Sequence, residues 1–288
     1  METSTALGDF LRSRRARLRP ADVGLASMPG RRRVPGLRRE ELALLAGVSV
    51  TYYTRLEQGQ SGNASDGVLD ALARALRLDR DEHAHLRDLA RPRRSARLAV
   101  EPEPAPEQVR AATRQLVEAM DRVPAVVLDR ANDVLTWNRL GHALLAGHLA
   151  ADAPERPEDR PNLTALLFLD PHTRELYPRW AEEAEVALAA LRLTVGRHPA
   201  DRRLAGLVGR LAIHSAEFAE LWARHPVREC TVGEKSFRHP LVGALDLSFE
   251  SLRTSDGADH RLLLYSAVPG SPSAAALDLL AATLGRRS

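Results

Sequence analysis

Val50, Thr51, Tyr52, Thr54, Arg55 and Gln58 share the outer side of one short predicted helix. The chemistry open to that set is recognition of base edges. An arginine donates two hydrogen bonds to O6 and N7 of a guanine, and a valine or a threonine methyl packs on the methyl of a thymine. The opposite side of the helix is apolar, with Tyr53 and Leu56 three residues apart. A helix with a buried seam and a polar, arginine-bearing outer face fits the major groove of duplex DNA. The competing readings are an ordinary helical hairpin for the segment and a solvated surface arginine for Arg55.

Other reactive groups make weaker patterns. Cys230 lies between His225 and His239, but it falls in a predicted strand and no spacing matches a zinc site. His83 and His85 are two apart on a predicted helix and point to different sides, which disfavours a metal pair. The chain has no GxSxG, no phosphate-binding glycine loop and no HExxH. The expectation is a protein that is not an enzyme and carries no catalytic residue, metal or cofactor.

The elements that position the outer face run from Leu37 to Gly59. Glu40 to Ala46 are good helix formers, Gly47 stops them, and Ser49 caps a second helix that Gly59 closes. Leu42 and Leu45 give the first helix its apolar face, and Val48 plugs the turn. The run LAGVSVTYYTRLEQG resembles the recognition half of the Cro/repressor-like (XRE-type) helix-turn-helix family. Its marks are Gly47-Val48-Ser49 in the turn and Leu56-Glu57-Gln58-Gly59 at the end. The resemblance implies that Val50, Thr51 and Arg55 face base edges, while Tyr52 and Thr54 meet phosphates or the groove edge. Ser49 completes that set at the helix start. Arg38 and Arg39, at the start of the first motif helix, should clamp the phosphate backbone.

Around this motif, apolar residues at helical spacing predict three more helices. One carries Leu7, Phe10, Leu11 and Leu18 and is otherwise lined by Arg12, Arg14, Arg15, Arg17 and Arg19. One follows Asp66, and one starts at the capping box Asp79-Arg80-Asp81-Glu82. Arg31-Arg32-Arg33 is either a solvated loop or a phosphate contact. Residues 1–97 hold 19 arginines against 12 acidic residues, a balance of +7, and the remainder balances to −4. Only the front therefore looks fitted to a polyanion. Arg91 to Pro106, rich in proline and charge, reads as a linker. The expected domains are 1–91, a linker over 92–106, and 107–288.

The second domain opens with a helix over about 107–122. Two strands follow, Ala125 to Leu128 and Val134 to Trp137, and then a short helix capped by Asn138. Helical patterns dominate from Asn162 to His225. Three strands come next, Arg228 to Phe237, Val242 to Leu252 and Leu262 to Ala267, with Asp256-Gly257 as a turn. A last helix spans about 273–284. This order describes an α+β domain around an antiparallel sheet with helices on one face.

The same order resembles the PAS-like ligand-binding domain of the MmyB-like transcription regulators, XRE-type proteins common in actinobacteria. The resemblance rests on Val134-Leu135-Thr136-Trp137-Asn138, on Phe218-Ala219-Glu220-Leu221-Trp222-Ala223-Arg224-His225, on Gly233-Glu234-Lys235, on His239-Pro240-Leu241-Val242-Gly243 and on Pro269-Gly270-Ser271-Pro272. With the front motif it covers nearly the whole chain. Trp137, Phe168, Trp180, Phe218 and Trp222 are large apolar groups that either pack the core or line an apolar pocket. The resemblance implies a hydrophobic ligand, with fatty acids among the candidates. Asn138, Arg192, His225 and His239 are candidates for its polar head.

The expected architecture is an all-α, five-helix, repressor-like DNA-binding domain followed by an α+β PAS-like domain with an antiparallel sheet. The expected protein is a sequence-specific DNA-binding transcription regulator whose back half senses a small hydrophobic ligand. The alternative is a DNA-binding protein whose back half is a protein-interaction or dimerisation module without a small-molecule ligand. Its partners would be operator DNA, that effector and a second copy of the chain, with no membrane. The lone cysteine and the lack of a secretory signal or long apolar run fit a cytoplasmic location.

Overall fold

A computed structural model of the chain describes residues 3–25, 36–60, 64–90, 108–228, 231–254 and 259–285. Arg31 to Arg33, the linker over 92–106, Cys230 and the Asp256-Gly257 turn lie outside the described residues. The helices in the front part are α1 (Thr3–Arg17), α2 (Arg39–Ala46), α3 (Val50–Glu57), α4 (Asp66–Ala75) and α5 (Arg80–Ala90). The elements α6 (Ala111–Glu118), β1 (Ala125–Leu128), β2 (Val134–Trp137), α7 (Arg139–Ala146), α8 (Leu163–Leu169) and α9 (Pro171–Leu176) come next. The chain continues through α10 (Trp180–Arg197), α11 (Arg202–His214), α12 (Ala216–Ala223), β3 (Val232–His239), β4 (Gly243–Arg253), β5 (Arg261–Ser266) and α13 (Pro272–Gly285).

The chain divides into two compact units. The first takes in α1 to α5 together with Arg192–Asp201 and Ala223–Glu229, and the second holds the other elements. In the first unit, Phe10, Leu11, Leu42, Tyr53, Leu56, Leu72 and Leu86 form one buried cluster. Leu193 and Val227 belong to the same cluster. Gly8 lets α1 approach the end of α3, because a Cβ there would sit 2.1 Å from the Glu57 carbonyl oxygen.

His85 of α5 is buried within this unit, edge-on to Phe10 at 5.1 Å between ring centroids. Burial, followed by the nearby charges of Arg192, Arg14, His225 and Arg197, pushes its pKa down to about 3. The unfolded chain, with an ordinary value of 6.5, therefore binds a proton that the folded one refuses. Stability from this group is complete above that ordinary value and is lost as the pH falls toward the native one. Moving from pH 7 to pH 5 should cost this unit about 2 kcal/mol, and His85→Leu should flatten that part of the profile. Denaturant midpoints at the two pH values measure it. An unchanged slope in His85→Leu would assign the effect elsewhere.

The second unit is built on a five-stranded, fully antiparallel sheet in the order β2-β1-β5-β4-β3. The strands alternate differently across it. On β4, Leu245, Leu247 and Phe249 are buried on one face while the residues between them are more exposed. Both faces of β1 and β2 are buried. Helices therefore cover both sides there, unlike the single covered face that the sequence pattern implies. Val126, Leu128 and Trp137 join the cluster that includes α7 and α13, whereas Ala125, Val127 and Leu135 pack with Val117 of α6.

Candidate nucleic-acid interface and ligand cavity

The turn between α2 and α3 is fixed by its caps. Gly47 adopts the left-handed conformation, φ 65°, and the Val48 N–H donates to the Ala43 carbonyl at 3.0 Å. Ser49 caps α3, its hydroxyl accepting from the Tyr52 N–H at 3.1 Å. Tyr53 and Leu56 turn inward and are fully buried, while Thr51, Arg55 and Gln58 are exposed. Val50 keeps 41% of its surface accessible, a large apolar side chain left outside the core. Tyr52 and Thr54 are half-buried at the margins. The set thus presents a face that is polar at Thr51, Arg55 and Gln58, apolar at Val50, and carries a single arginine.

The other predicted contacts are more constrained. The Arg38 N–H donates to the Glu41 carboxylate at 2.7 Å, which starts α2. Arg39 donates to Glu57 at 3.1 Å, so part of its guanidinium serves the fold. Glu57 is the feature that the sequence reading missed. Its carboxylate is buried and also receives Arg15 twice, at 2.9 and 3.2 Å, with Arg12 at 3.5 Å. Burial alone would raise its pKa, but the bonds from Arg15 and Arg39 hold it below the ordinary value. Most arginines of α1 are likewise engaged within the unit. Arg14 is buried against Glu82 at 2.8 Å and donates to the His225 carbonyl at 2.7 Å. Arg15 also donates to the Leu37 carbonyl at 2.6 Å. The signal available in the sequence was the glutamate in the closing Leu-Glu-Gln-Gly.

In the second unit, a cavity of about 120 Å³ opens between the sheet and α7, α8 and α10. Its apolar wall includes Leu128, Leu145, Leu167, Val186, Phe249 and Leu263. Asn132, Thr164, Glu183, Lys235, Ser251 and Arg261 supply polar groups. Burial raises the pKa of the Tyr177 and Tyr265 hydroxyls, which also border the space, well above the ordinary value, so both stay neutral.

None of the eight residues proposed from sequence for ligand contact lines this cavity. The Asn138 side chain accepts from the N–H groups of Ala125 at 3.1 Å and Gly141 at 2.7 Å, and donates to Met120 and Val123 carbonyls, each at 2.7 Å. His239 contacts the Ala143 carbonyl at 2.9 Å and accepts from the Leu241 N–H at 3.3 Å. Trp137 donates to the Ala151 carbonyl at 2.8 Å. Phe168, Phe218, Trp222 and Trp180 form one aromatic cluster, with Phe218 stacked on Trp222 at 5.5 Å. Arg192 and His225 meet each other at 3.0 Å in the first unit. Burial and the neighbouring arginines push His225 down to about 4.

Comparison with known proteins places both halves. A helix-turn-helix domain model matches residues 6–86, and the MmyB-like transcription regulator ligand binding domain model matches residues 109–280. No curated protein matches the chain. No helix among the described residues is long and apolar enough to cross a membrane. A helix-turn-helix unit in front, followed by a ligand binding domain that spans more than half of the sequence, makes this chain a member of the MmyB-like family of DNA-binding transcription regulators.

Proposed function

We propose that the chain reads an operator through α3 and adjusts its hold on that operator when a small hydrophobic molecule, a fatty acid or a shorter compound, fills the cavity of the second unit. The observation that carries this reading is the apolar cavity itself, since a sealed core would favour a protein-interaction module. Its volume resembles that of the roughly 150 Å³ engineered cavities that accept benzene. A long acyl chain would have to part the packing around it. Occupancy alters DNA affinity only to the extent that the DNA-competent and incompetent states bind the ligand differently.

Arg55 carries the base reading in this proposal, with Val50 and Thr51 beside it and Arg38 and Arg39 on the backbone. Tyr52 and Thr54 hold the groove edge, and Ser49 holds the helix start. One recognition helix reads few base pairs, so a homodimer on a two-fold site follows. Arg55→Ala should cost about 1–3 kcal/mol on a selected operator and leave binding to random duplex nearly unchanged. Fluorescence anisotropy with both duplexes, and the mass of the complex by light scattering, test the two parts. Equal losses on both duplexes would remove Arg55 from base reading, and a monomer on DNA would remove the dimer.

A further inference from the structure

The two edges of the sheet are finished differently. β2 is buried along its length, the Val134 N–H donates to the Pro161 carbonyl at 2.7 Å, and Asp133 just ahead of it forms an antiparallel bridge with Asn162. β3, at the other edge, is 8 residues long and carries exposed positions along its outer face. The Ser251 N–H donates to the Thr231 carbonyl at 2.7 Å. Counting on by twos from Thr231, the residues that exchange backbone bonds with β4 are Gly233, Lys235, Phe237 and His239. The N–H and C=O groups of Val232, Glu234, Ser236 and Arg238 therefore point away from β4. Among the described residues no hydrogen bond reaches them. An edge strand of this length is a template for another strand.

The charges on that edge select which strand fits it. Glu234 and Arg238 are exposed, flank Ser236 symmetrically, and have only Ser248 and Ala244 opposite them on β4. Charged side chains on an edge usually repel a second strand. Here they complement a copy of themselves. Laid antiparallel on itself with Ser236 opposite Ser236, β3 sets Glu234 against Arg238 of the second copy and Arg238 against its Glu234. Every residue opposed in this way has its backbone groups pointing outward, so each pair exchanges both bonds. An axis at Glu234, Lys235 or Arg238 would oppose like charges, and one at Phe237 would leave Glu234 and Arg238 facing neutral residues. The ends agree with the same register. Val232, 66% exposed, falls opposite Pro240 of the second copy, beside Leu241, which is 61% exposed. The Ser236 hydroxyl donates to Asp246 of β4 at 2.6 Å and accepts from Arg179 at 3.0 Å, so the side chain is held toward β4.

We infer that two copies of the chain join through β3, antiparallel about a two-fold axis at Ser236, so that their sheets run on into one another. The joint rests on the homodimer proposed above and gives it a surface. It is isologous, each copy lending the same residues, and it closes on itself without leaving a further edge of β3 open. Lys235 of the same strand stands in the cavity wall, so a cavity occupant and the second copy bear on one element.

Sedimentation equilibrium of the full chain tests the joint by charge exchange. Arg238→Glu and Glu234→Arg each oppose like charges at both symmetric positions, and each should weaken the dimer about tenfold or more. The two substitutions combined restore opposite charges and should return the dimer to wild-type strength. A crosslink gives a second reading that does not depend on the charge variants. Ser236→Cys in a Cys230→Ser background should oxidise to a covalent dimer, because opposed Cα atoms of a hydrogen-bonded pair lie about 5.5 Å apart, within disulfide reach. Glu250→Cys on β4, in the same background, should stay uncrosslinked. A dimer that ignores the single charge reversals, a double variant as weak as the singles, or a Ser236→Cys chain that crosslinks no faster than Glu250→Cys overturns the joint and assigns the dimer to another surface. A wild type that is monomeric both alone and on operator DNA removes the joint and the dimer together.

Discussion

Glu57→Ala lowers the unfolding free energy of the DNA-binding unit by about 3–5 kcal/mol. The substitution removes one buried carboxylate and leaves Arg15, Arg39 and Arg12 facing one another. Arg15 keeps its bond to the Leu37 carbonyl, but it loses both bonds to the carboxylate. Glu57 closes α3, so the loss loosens the helix that carries Arg55 against α1 and the start of α2. Glu57→Gln is the informative comparison. It preserves shape but not charge, and it replaces one acceptor oxygen with an NH2 donor facing arginine N–H groups, so it should retain less than half of the stabilisation that the carboxylate provides. Guanidinium denaturation followed by circular dichroism gives both values. A change below about 1 kcal/mol in Glu57→Ala would mean that the network behaves as an ordinary surface cluster. The native carboxylate has the lower pKa, so its contribution is whole above the ordinary value of 4.5 and disappears as the pH falls through the lowered one.

Asn138→Ala should destabilise the second unit by about 3–4 kcal/mol, about 1 kcal/mol for each of four hydrogen bonds, two of them fully buried. The side chain ties the start of β1 to the start of α7 and holds two carbonyls of the segment that enters β1. Asn138→Asp keeps the cap acceptor but sets a carboxylate against the carbonyls of Met120 and Val123, and should be no better. Thermal unfolding of the two variants, read with the wild type in parallel, decides the matter. Wild-type behaviour in Asn138→Ala would mean that water replaces the amide.

What the sequence made legible follows the range of the interactions. Gly47, Ser49, Tyr53 and Leu56 act within a few residues of one another, and their caps and periodicity can be read along the chain. The strands of the second unit are legible for the same reason, from the alternation in β4 and the apolar runs of β1 and β2. Their order in the sheet, which sets β5 between β1 and β4, involves partners over a hundred residues apart. The lining of the cavity was hidden for that reason. It is assembled from β1, α7, α8, α9, α10 and three further strands, and an aromatic such as Phe218 looks the same in sequence whether it faces a ligand or another ring. The α1 arginines show the converse. Their cationic stripe is visible, but Glu57 and Glu82, which engage much of it, lie more than forty residues away. One signal was present and unread: the segment Arg261-Leu262-Leu263-Leu264-Tyr265 sets an arginine at the head of an otherwise apolar strand.

Lys235 is the one lysine in 288 residues, and it stands in the cavity wall. Amine acylation of the folded protein thus has a single side-chain target besides the N-terminal amine. Coupling through lysine, whether to a fluorophore or to a sensor chip, would modify the wall of this cavity and no other side chain. Used sparingly, the same reagent becomes a footprint, its yield at one peptide reporting how open that wall is.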